Sequence, residues 1–316
     1  MNQTVTNTRS HLITPCTSRK RGDYGIPIRV SELSAPDLGT LTTQWFNSLN
    51  SSKAFETSAV DLYAGGAWSL VKELCKSFDY QWVLSAGYGL INANSIVKPY
   101  NITFSNGKSE SIPSLNFATQ KEANIYWWRA INQCKSNKAR IDGGITKLLS
   151  KYRNDNFLFV VSKSYIEVII DEINNCIERN IIDKEKIIII SSYKANGACK
   201  HQVLRVDPNL TTYFRCTLAN LNYKLAQHII EKKTSFGIEY FKKEIEKIKL
   251  EPKKKSTKKK LSDEEVRIIT IEILHKYKDA AKSKTKALDI LRNTYNLSCS
   301  AERFSPIYEF CKVHIY

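Results

Sequence analysis

Residues 82–91 read Trp82-Val83-Leu84-Ser85-Ala86-Gly87-Tyr88-Gly89-Leu90-Ile91, an apolar run that ends in a loop bracketed by glycines. The run predicts a buried strand, and polar side chains follow it, with Lys98 and Tyr100 a little further along the chain. Glycine lets backbone approach a ligand closely, and open α/β folds place their ligands at the ends of strands. This stretch therefore predicts one wall of a ligand site.

Apolar runs and amphipathic periods alternate along the first 235 residues. This alternation is typical of an α/β fold in which helices flank a mostly parallel central sheet. Residues 60–63 are predicted as the end of a strand or a loop. The strands are predicted at 11–15, 81–85, 157–162 and 186–192, and the helices at 65–75, 123–135, 144–152, 165–179 and 220–233.

The chain divides into four predicted regions: a disordered N-terminus (1–10), an α/β domain (11–235), a lysine-rich linker (236–261) and a small helical domain (262–316). The sequence Ser262-Asp263-Glu264-Glu265 predicts a capping box that opens the last region. Its three helices are expected at 263–280, 284–295 and 300–313, and Pro306 either kinks the third or restarts it at 305. Such a unit binds DNA through its last helix, with Arg303 as a contact, or caps the main domain.

Charge and cysteine usage narrow the functional classes. The 48 Lys and Arg against 31 Asp and Glu give a formal charge of +17, which favours an anionic partner, and nucleic acid first. No apolar run is long enough to span a membrane, and the polar first ten residues lack a signal-peptide core. We therefore expect a cytoplasmic, nucleoid-associated protein without an obligate protein partner. The eight cysteines are scattered singly, so neither a disulfide framework, a metal nor another cofactor is expected.

Three short motifs follow one another in order: Cys16-Thr17-Ser18-Arg19-Lys20, then Asp61-Leu62-Tyr63-Ala64-Gly65, then Leu84 to Leu90 with a downstream Pro99-Tyr100. Over about residues 10–235 the chain resembles two related families, the YaaA-type peroxide-stress proteins and a group of bacterial and phage-associated proteins known as a domain of unknown function. Segments 159–165 and 190–197 look like later elements of the YaaA type. Ala64 stands where those families have Thr, and YaaA proteins lack the linker and the helical domain.

The resemblance implies an α/β core with a basic cleft suited to DNA and an architecture of the uracil-DNA-glycosylase type. The activity that we expect is a DNA glycosylase that flips and excises a modified base from double-stranded DNA, in defence against phage. The alternatives are a noncatalytic DNA-binding stress-response protein and a nucleotide or RNA-base transferase.

Cleaving an N-glycosidic bond needs a carboxylate, donors to the departing base and an aromatic face for the flipped base. We expect Asp61, Tyr88 and Ser85 to be catalytic. The residues expected to bind DNA are Cys16, Ser18, Lys20, Tyr63, Gly65, Lys98, Tyr100, Lys194, His201 and Arg303. Six of these residues have a structural alternative: Asp61 as a helix cap, Tyr88 as packing beneath the loop, Cys16 as a buried strand end, His201 as a structural histidine, and Lys98 and Lys194 as solvated surface charges.

Overall fold

The computed structural model describes residues 8–232, 235–248, 259–277 and 282–315. The chain forms two compact units, Met1–Leu250 and Glu251–Tyr316. Of the N-terminus that was predicted to be disordered, residues 1–7 lie outside the described residues, and Ser10 already belongs to the first strand.

The described residues of the first unit form ten strands, of which six make up its central sheet. In chain order the strands are β1 (Ser10–Pro15), β2 (Ile28–Arg29), β3 (Thr57–Ser58), β4 (Tyr80–Ser85), β5 (Gly89–Asn92), β6 (Ile96–Val97), β7 (Tyr100–Asn101), β8 (Asn156–Val160), β9 (Ile187–Ser191) and β10 (Val203–Arg205). The sheet has the order β10-β9-β8-β1-β4-β5. Its pairs are parallel except β4 with β5, which confirms an α/β fold with a mostly parallel central sheet.

The helices of this unit pack in two groups. They are α1 (Leu38–Ser51), α2 (Ala59–Leu62), α3 (Gly66–Cys75), α4 (Gln120–Gln133), α5 (Gly144–Lys151), α6 (Lys163–Glu178), α7 (Leu210–Tyr213), α8 (Leu218–Ile230) and α9 (Ile238–Glu246). Helix α3 packs on α8, while α6 packs on α4 and α5. The crossover from β1 to β4 and the crossover from β8 to β9 run toward opposite edges of the sheet. Right-handed connections therefore place α3 and α6 on opposite faces.

Burial on both faces explains the composition of the central strands. Strand β9 contains four consecutive isoleucines, Ile187 to Ile190, and all four are fully buried. Strand β8 pairs with it in register, from Phe157 opposite Ile187 to Val160 opposite Ile190. A parallel sheet covered by helices on both sides leaves no solvent face, so its strands read as continuous apolar runs rather than as alternating ones.

A buried histidine network marks the amino-terminal edge of the sheet. His11 of β1 is fully buried between Tyr80 and Phe157 of the neighbouring strands. Its Nδ1 accepts a hydrogen bond from Trp82 Nε1 at 3.0 Å, so its Nε2 carries the proton and donates to Asp155 at 3.1 Å. Burial lowers the pKa of His11 more than the Asp155 carboxylate raises it. The imidazole is therefore neutral in the fold.

This network predicts a loss of stability in acid. The folded pKa of His11 lies below the unfolded value of 6.5, so its contribution is complete above pH 6.5 and is lost as the pH falls through the folded pKa. We expect the unfolding temperature of the wild type to drop between pH 8 and pH 5.5, and to drop less for His11→Gln. The exposed His201→Gln variant is the control, and a pH dependence that is the same in all three proteins would refute the assignment to His11.

Within its described residues the second unit forms three helices with a core of their own. Its elements are β11 (Lys259–Lys260), α10 (Asp263–Lys276), α11 (Lys284–Asn293), β12 (Leu297–Ser298) and α12 (Ala301–Ile315). The predicted capping box is present, since Ser262 Oγ accepts from Glu265 N and Glu265 accepts from Ser262 N. Pro306 lies inside α12 and does not divide it. The core includes Val266, Ile273, Leu291 and Phe304.

Two predicted boundaries are corrected. Residues 59–62 form the short helix α2, not the end of a strand or a loop, because Tyr63 N closes a turn onto Ala59 O. The predicted linker begins too early, since α9 buries Phe241 in the core of the first unit. Of the lysine-rich run, residues 249–258 lie outside the described residues. Among the helices of the described residues, none is long and apolar enough to cross a membrane.

Candidate active site

The candidate site lies where the chain reverses its direction across the sheet. Strand β1 stands between β4 and β8, so the chain first builds the sheet on one side of β1 and later returns on the other. Such a switch point opens a crevice outside the carboxyl ends of the strands, and this is where open α/β proteins bind ligands. Cys16 follows β1 there, and its N–H donates to Leu84 O of β4 at 2.9 Å.

A rigid turn follows β4. Ser85 Oγ accepts hydrogen bonds from the N–H groups of Gly87 at 3.3 Å and Tyr88 at 3.0 Å. Two buried indoles hold the carbonyls of the same turn, because Trp45 Nε1 donates to Gly87 O and Trp127 Nε1 donates to Ala86 O, each at 2.8 Å. The turn then leads directly into β5. Its backbone polar groups are therefore satisfied by the protein itself.

A tyrosine cluster, formed by Cys16, Tyr63, Ser85, Tyr100 and Tyr165, fills the crevice beneath this turn. The Tyr100 hydroxyl lies 2.6 Å from Ser85 Oγ and 2.8 Å from the Tyr63 hydroxyl, and Cys16 Sγ lies 3.1 Å from the Tyr165 hydroxyl. All five residues are buried. Burial raises the pKa of Tyr63, Tyr100 and Tyr165 well above 10, so their hydroxyls stay protonated and serve as donors.

Lys20 stands above this cluster at the wall of a cavity. Its Nζ lies 4.1 Å from the centre of the Tyr100 ring, a distance typical of a cation–π contact. Within the described residues no carboxylate lies at ion-pair distance from this ammonium. Burial lowers the pKa of Lys20 to about 8, although Cys16 and Glu110 oppose the shift. A lysine of this kind exists in both protonation states near neutral pH.

The Lys20 cavity has a volume of about 310 Å³. This lies at the small end of the range of about 300–1,000 Å³ that small-molecule sites occupy. One wall is the loop between Thr103 and Ser111, whose ends are tied by the hydrogen bond from Thr103 N to Glu110 O at 2.8 Å. The lining residues are Ser18, Lys20, Asn101, Ile102, Thr103, Ser105, Lys108 and Glu110. An amine with a lowered pKa and a carboxylate thus face one cavity.

The loop that carries Lys20 is fixed by pairing with the end of α2. Arg21 N donates to Leu62 O and Ala64 N donates to Arg19 O, each at 2.9 Å, so that Lys20 and Tyr63 form an antiparallel bridge. The first two motifs of the sequence analysis are therefore neighbours in space. The third joins them through the contact between Tyr100 and Tyr63.

Basic side chains surround the crevice. We call Arg19, Arg21, Lys163 and Lys194 the basic rim, because each is exposed and follows the carboxyl end of β1, β8 or β9. Arg21 pairs with Asp23 at 2.9 Å and Lys163 approaches Glu167 at 3.7 Å. Exposed ion pairs of this kind contribute little to stability, so the basic side chains can readily exchange them for contacts to phosphate. The rim is suited to a polyanion that passes the cavity.

Five predicted site residues are buried structural groups, and one of them is Cys16, whose thiol contacts the Tyr165 hydroxyl. Tyr63, Tyr88 and Tyr100 are not accessible stacking faces for a base, because each packs in the core. The Tyr88 hydroxyl accepts from Lys98 N at 2.9 Å and lies 3.3 Å from Lys98 O. Ser85 is fully buried, and its hydroxyl is already engaged in hydrogen bonds within the protein. Aromatic rings with one polar atom fit a core as well as a surface, so sequence alone does not separate the two roles.

Asp61 does not reach the cavity. Its carboxylate accepts from Ser58 Oγ at 2.7 Å and from Lys72 Nζ at 3.3 Å, and its side chain is 50% exposed. The Ser58 hydrogen bond, followed by Lys72, keeps the pKa of Asp61 below its usual value. Tyr63 turns inward two residues later, and a helical turn directs positions i and i+2 to different sides. Asp61 ties α2 to α3.

Lys98 caps a helix. Its Nζ donates to Asn50 O, in the last turn of α1, at 3.3 Å and to Ser52 O, at the C-cap, at 2.8 Å. The Lys98 side chain is only 15% exposed. A lysine at this position satisfies carbonyls that the helix leaves free and complements the negative end of the dipole. Lys98 is therefore not available to hold a phosphate.

The remaining predicted residues divide by position. Ser18 lines the Lys20 cavity, and Lys194 is exposed beyond β9. Gly65 has φ +98°, which favours glycine, where the chain enters α3. His201 lies at the opposite edge of the sheet, level with the start of β9, because Val203 pairs with Ile189. Arg303 belongs to the second unit, where it forms an ion pair with Asp263.

Sequence reasoning missed Glu110, Lys108 and the two indoles that hold the turn. Glu110 and Lys108 lie in a polar, glycine-containing stretch that gives no sign of facing a cavity. Among the described residues no group of three or more His, Cys, Asp or Glu side chains is placed to hold a metal ion. All eight cysteines are free.

Together the fold and the site define an open α/β protein with a cavity for a small group, lined by lysine and carboxylate, at the carboxyl edge of its sheet. Comparison of the chain with family models, with curated proteins and with solved structures gives no match.

Proposed function

We propose that this protein is a DNA glycosylase, which draws one modified base out of duplex DNA and cleaves its glycosidic bond. The observation that carries the proposal is the Lys20 cavity itself, where an ammonium and the Glu110 carboxylate line a space of about 310 Å³ beside the basic rim. A flipped nucleotide has to fit a pocket while the flanking phosphates are held outside it. In this proposal Arg19 and Lys194 of the basic rim bind those phosphates.

The Lys20 ammonium and the Glu110 carboxylate have different roles in cleavage of the glycosidic bond. The C1′–N bond breaks, its electron pair leaves with the base, and the Lys20 ammonium donates a proton to the departing nitrogen. Positive charge develops on the sugar as this occurs. The Glu110 carboxylate stabilises that charge and takes a proton from the water that adds to C1′. The products are a free base and an abasic site.

The substrate class is inferred from the sequence resemblance together with the size of the cavity. The phage-associated proteins that the sequence resembles suggest invading DNA with altered bases, and a cavity of this size takes a single base with a small substituent. The formal charge of +17 supports binding to DNA, with an affinity that falls as salt rises because bound phosphates release their counterions.

The test compares two carboxylates. The full-length protein is incubated with unmodified DNA and with phage DNAs that carry different modified bases, and released bases are measured by mass spectrometry. We expect Glu110→Gln to lower base release by at least about 100-fold, the lower bound for a general acid or base. Asp61→Asn makes the same change outside the cavity, and we expect it to retain activity within about threefold.

The outcomes separate the alternatives. If the wild-type protein releases no base and leaves no alkali-labile site on any DNA, the glycosylase proposal is wrong. Salt-sensitive binding without a product would then favour a noncatalytic DNA-binding protein. Turnover of free nucleotides or transfer RNA, with none on duplex DNA, would favour a base transferase.

A further inference from the structure

The position of Lys20 has a chemical consequence beyond base release. A lysine side chain that projects into a polar cavity is commonly held by a carboxylate, and such a pair keeps the amine charged and unreactive. Lys20 instead lies over the face of Tyr100 at 4.1 Å, and its nearest hydrogen-bond acceptor among the described residues is Ser18 O at 3.5 Å. The amine is oriented by a ring that does not accept its proton.

We infer that Lys20 is also a nucleophile, whose amine captures the aldehyde of an abasic deoxyribose as a Schiff base and thereby gives the protein an abasic-site lyase activity. The inference rests on the proposed function, because the abasic site is the product that a glycosylase leaves in this cavity. It adds a covalent step and a second reaction to it.

The capture step balances without an oxidant or a reductant. The deoxyribose opens to its aldehyde form, and the neutral Lys20 amine adds to C1′. The hydroxyl of the resulting carbinolamine takes a proton, from the Glu110 carboxyl that the excision step protonated or from solvent on a prepared abasic site, and leaves as water. This gives a cationic iminium between Nζ and C1′ and leaves Glu110 as a carboxylate. Proton donation to the departing base leaves the Lys20 amine in the neutral form that this addition requires.

Strand cleavage follows from the iminium. The iminium acidifies the proton on C2′, and the Glu110 carboxylate removes it. The C3′–O bond then breaks, and its electron pair leaves with the phosphate. Water hydrolyses the remaining iminium and returns the Lys20 amine together with an unsaturated aldehyde on the DNA end.

Lys20 is set apart from Lys108, the other amine that lines the cavity. The Lys108 side chain is exposed, whereas that of Lys20 is partly buried against Tyr100. Desolvation disfavours the charged form of an amine, and it dominates the lowered pKa of Lys20. Buried lysines with an available neutral form are the ones that make Schiff bases with carbonyl groups.

The experiment supplies the abasic site ready made. A duplex oligonucleotide with one abasic site, prepared by removing a single uracil with another enzyme, is mixed with the full-length protein and sodium borohydride. Borohydride reduces the iminium to a stable amine, so we expect a covalent protein–DNA adduct on a denaturing gel, with the crosslink at Lys20 by peptide mass spectrometry. Without borohydride we expect strand cleavage that needs no alkali.

Two variants make the test decisive. Lys20→Arg keeps the charge but cannot form the iminium, so we expect adduct and cleavage to fall at least 100-fold while DNA binding remains. Lys76→Arg, an exposed lysine paired with Glu73, is the matched control and should trap as the wild type does. Absence of an adduct with the wild-type protein, or an adduct that persists in Lys20→Arg, overturns the inference.

Failure of the two proposals can be told apart. The prepared abasic site needs no base excision, so the trapping experiment tests Lys20 even if the protein excises no base from any DNA. If base release is observed and trapping is not, the glycosylase proposal stands and the lyase inference falls. Trapping at Lys20 without base release from any DNA supports the lyase reaction and contradicts the glycosylase.

Discussion

Lys20→Met is expected to lower base release by at least about 100-fold and to raise the unfolding temperature. The loss of activity is expected because Lys20 is the proton donor of the proposed mechanism. The gain in stability follows from the lowered pKa, since the fold holds the charged amine less favourably than water does. Below pH 8 this penalty is present in full, and methionine fills a similar space without a charge. Opposite effects on activity and stability are typical of a functional residue that the fold tolerates at a cost.

Base release and borohydride trapping need opposite protonation states of Lys20. We therefore expect their rates to change in opposite directions with pH, around the same midpoint. Base release needs the charged form of Lys20 and is expected to fall tenfold for each unit above about pH 8. Borohydride trapping on a prepared abasic site needs the neutral form, so it rises to about pH 8 and then levels. The groups that act on Lys20 are Cys16 and Glu110, while Lys108 lines the same cavity.

Rates of both reactions between pH 6 and pH 10 would check this, with thermal unfolding of wild type and Lys20→Met at pH 7. If the two profiles rise and fall together, a single protonation state serves both reactions, and the shared role of Lys20 is wrong. If Lys20→Met unfolds at a lower temperature, the cation–π contact with Tyr100 outweighs the cost of burial.

Gly87→Ala is expected to destabilise the first unit strongly. A Cβ at Gly87 would lie 2.7 Å from two carbon atoms of the Tyr100 ring, which is fully buried and bonded through its hydroxyl. The ring cannot move away without breaking its hydrogen bond to Ser85. Overpacking of this kind costs about 3 kcal/mol, which lowers the unfolding temperature by roughly 6–12 °C for a unit of this size.

Gly22→Ala is the matched control, because nothing lies within 4 Å of its added Cβ. Calorimetry of both variants with the wild type gives the comparison. Displacement of the Tyr100 ring would also move Lys20, so we expect Gly87→Ala to trap abasic DNA poorly even at temperatures where it is folded. An unfolding temperature within about 1 °C of the wild type would show that the turn after β4 can shift to accommodate the methyl group. The hydrogen bonds from the two indoles would then not hold that turn rigidly.

The sequence predicts the sheet and the meeting of its loops for a clear reason. Buried parallel strands are apolar on both faces, so the runs at 81–85 and 186–192 stand out, and the carboxyl ends of such strands lie along one edge. The edge strand β5 is not among the predicted strands, because the turn of its hairpin, at Gly87, has the sequence of an open loop. Helix α1 was missed altogether, although Asp37 provides its N-cap.

The candidate site could be predicted in its place but not in its chemistry. Lys20 is among the predicted residues and lines the cavity, whereas Tyr88 and Lys98 turn inward to bond each other or a helix end. Sequence fixes the order of residues but not which side of a turn a side chain takes, and Asp61 shows this. Glu110 reaches the cavity only through the pairing of Thr103 with Ser111, a contact without a local signal.

The turn after β4 has a consequence for how this protein could change its preferences over generations. Open α/β proteins often bind anions at the first turn of a helix, where the attraction comes from backbone amides that mutation cannot remove. Here β4 continues into the antiparallel β5, and β1 continues into a loop, so neither of these two strands is followed directly by a helix. An anion near the ends of these two strands is therefore attracted by side chains. Because a single substitution changes one side chain, affinity and choice of target can evolve one residue at a time.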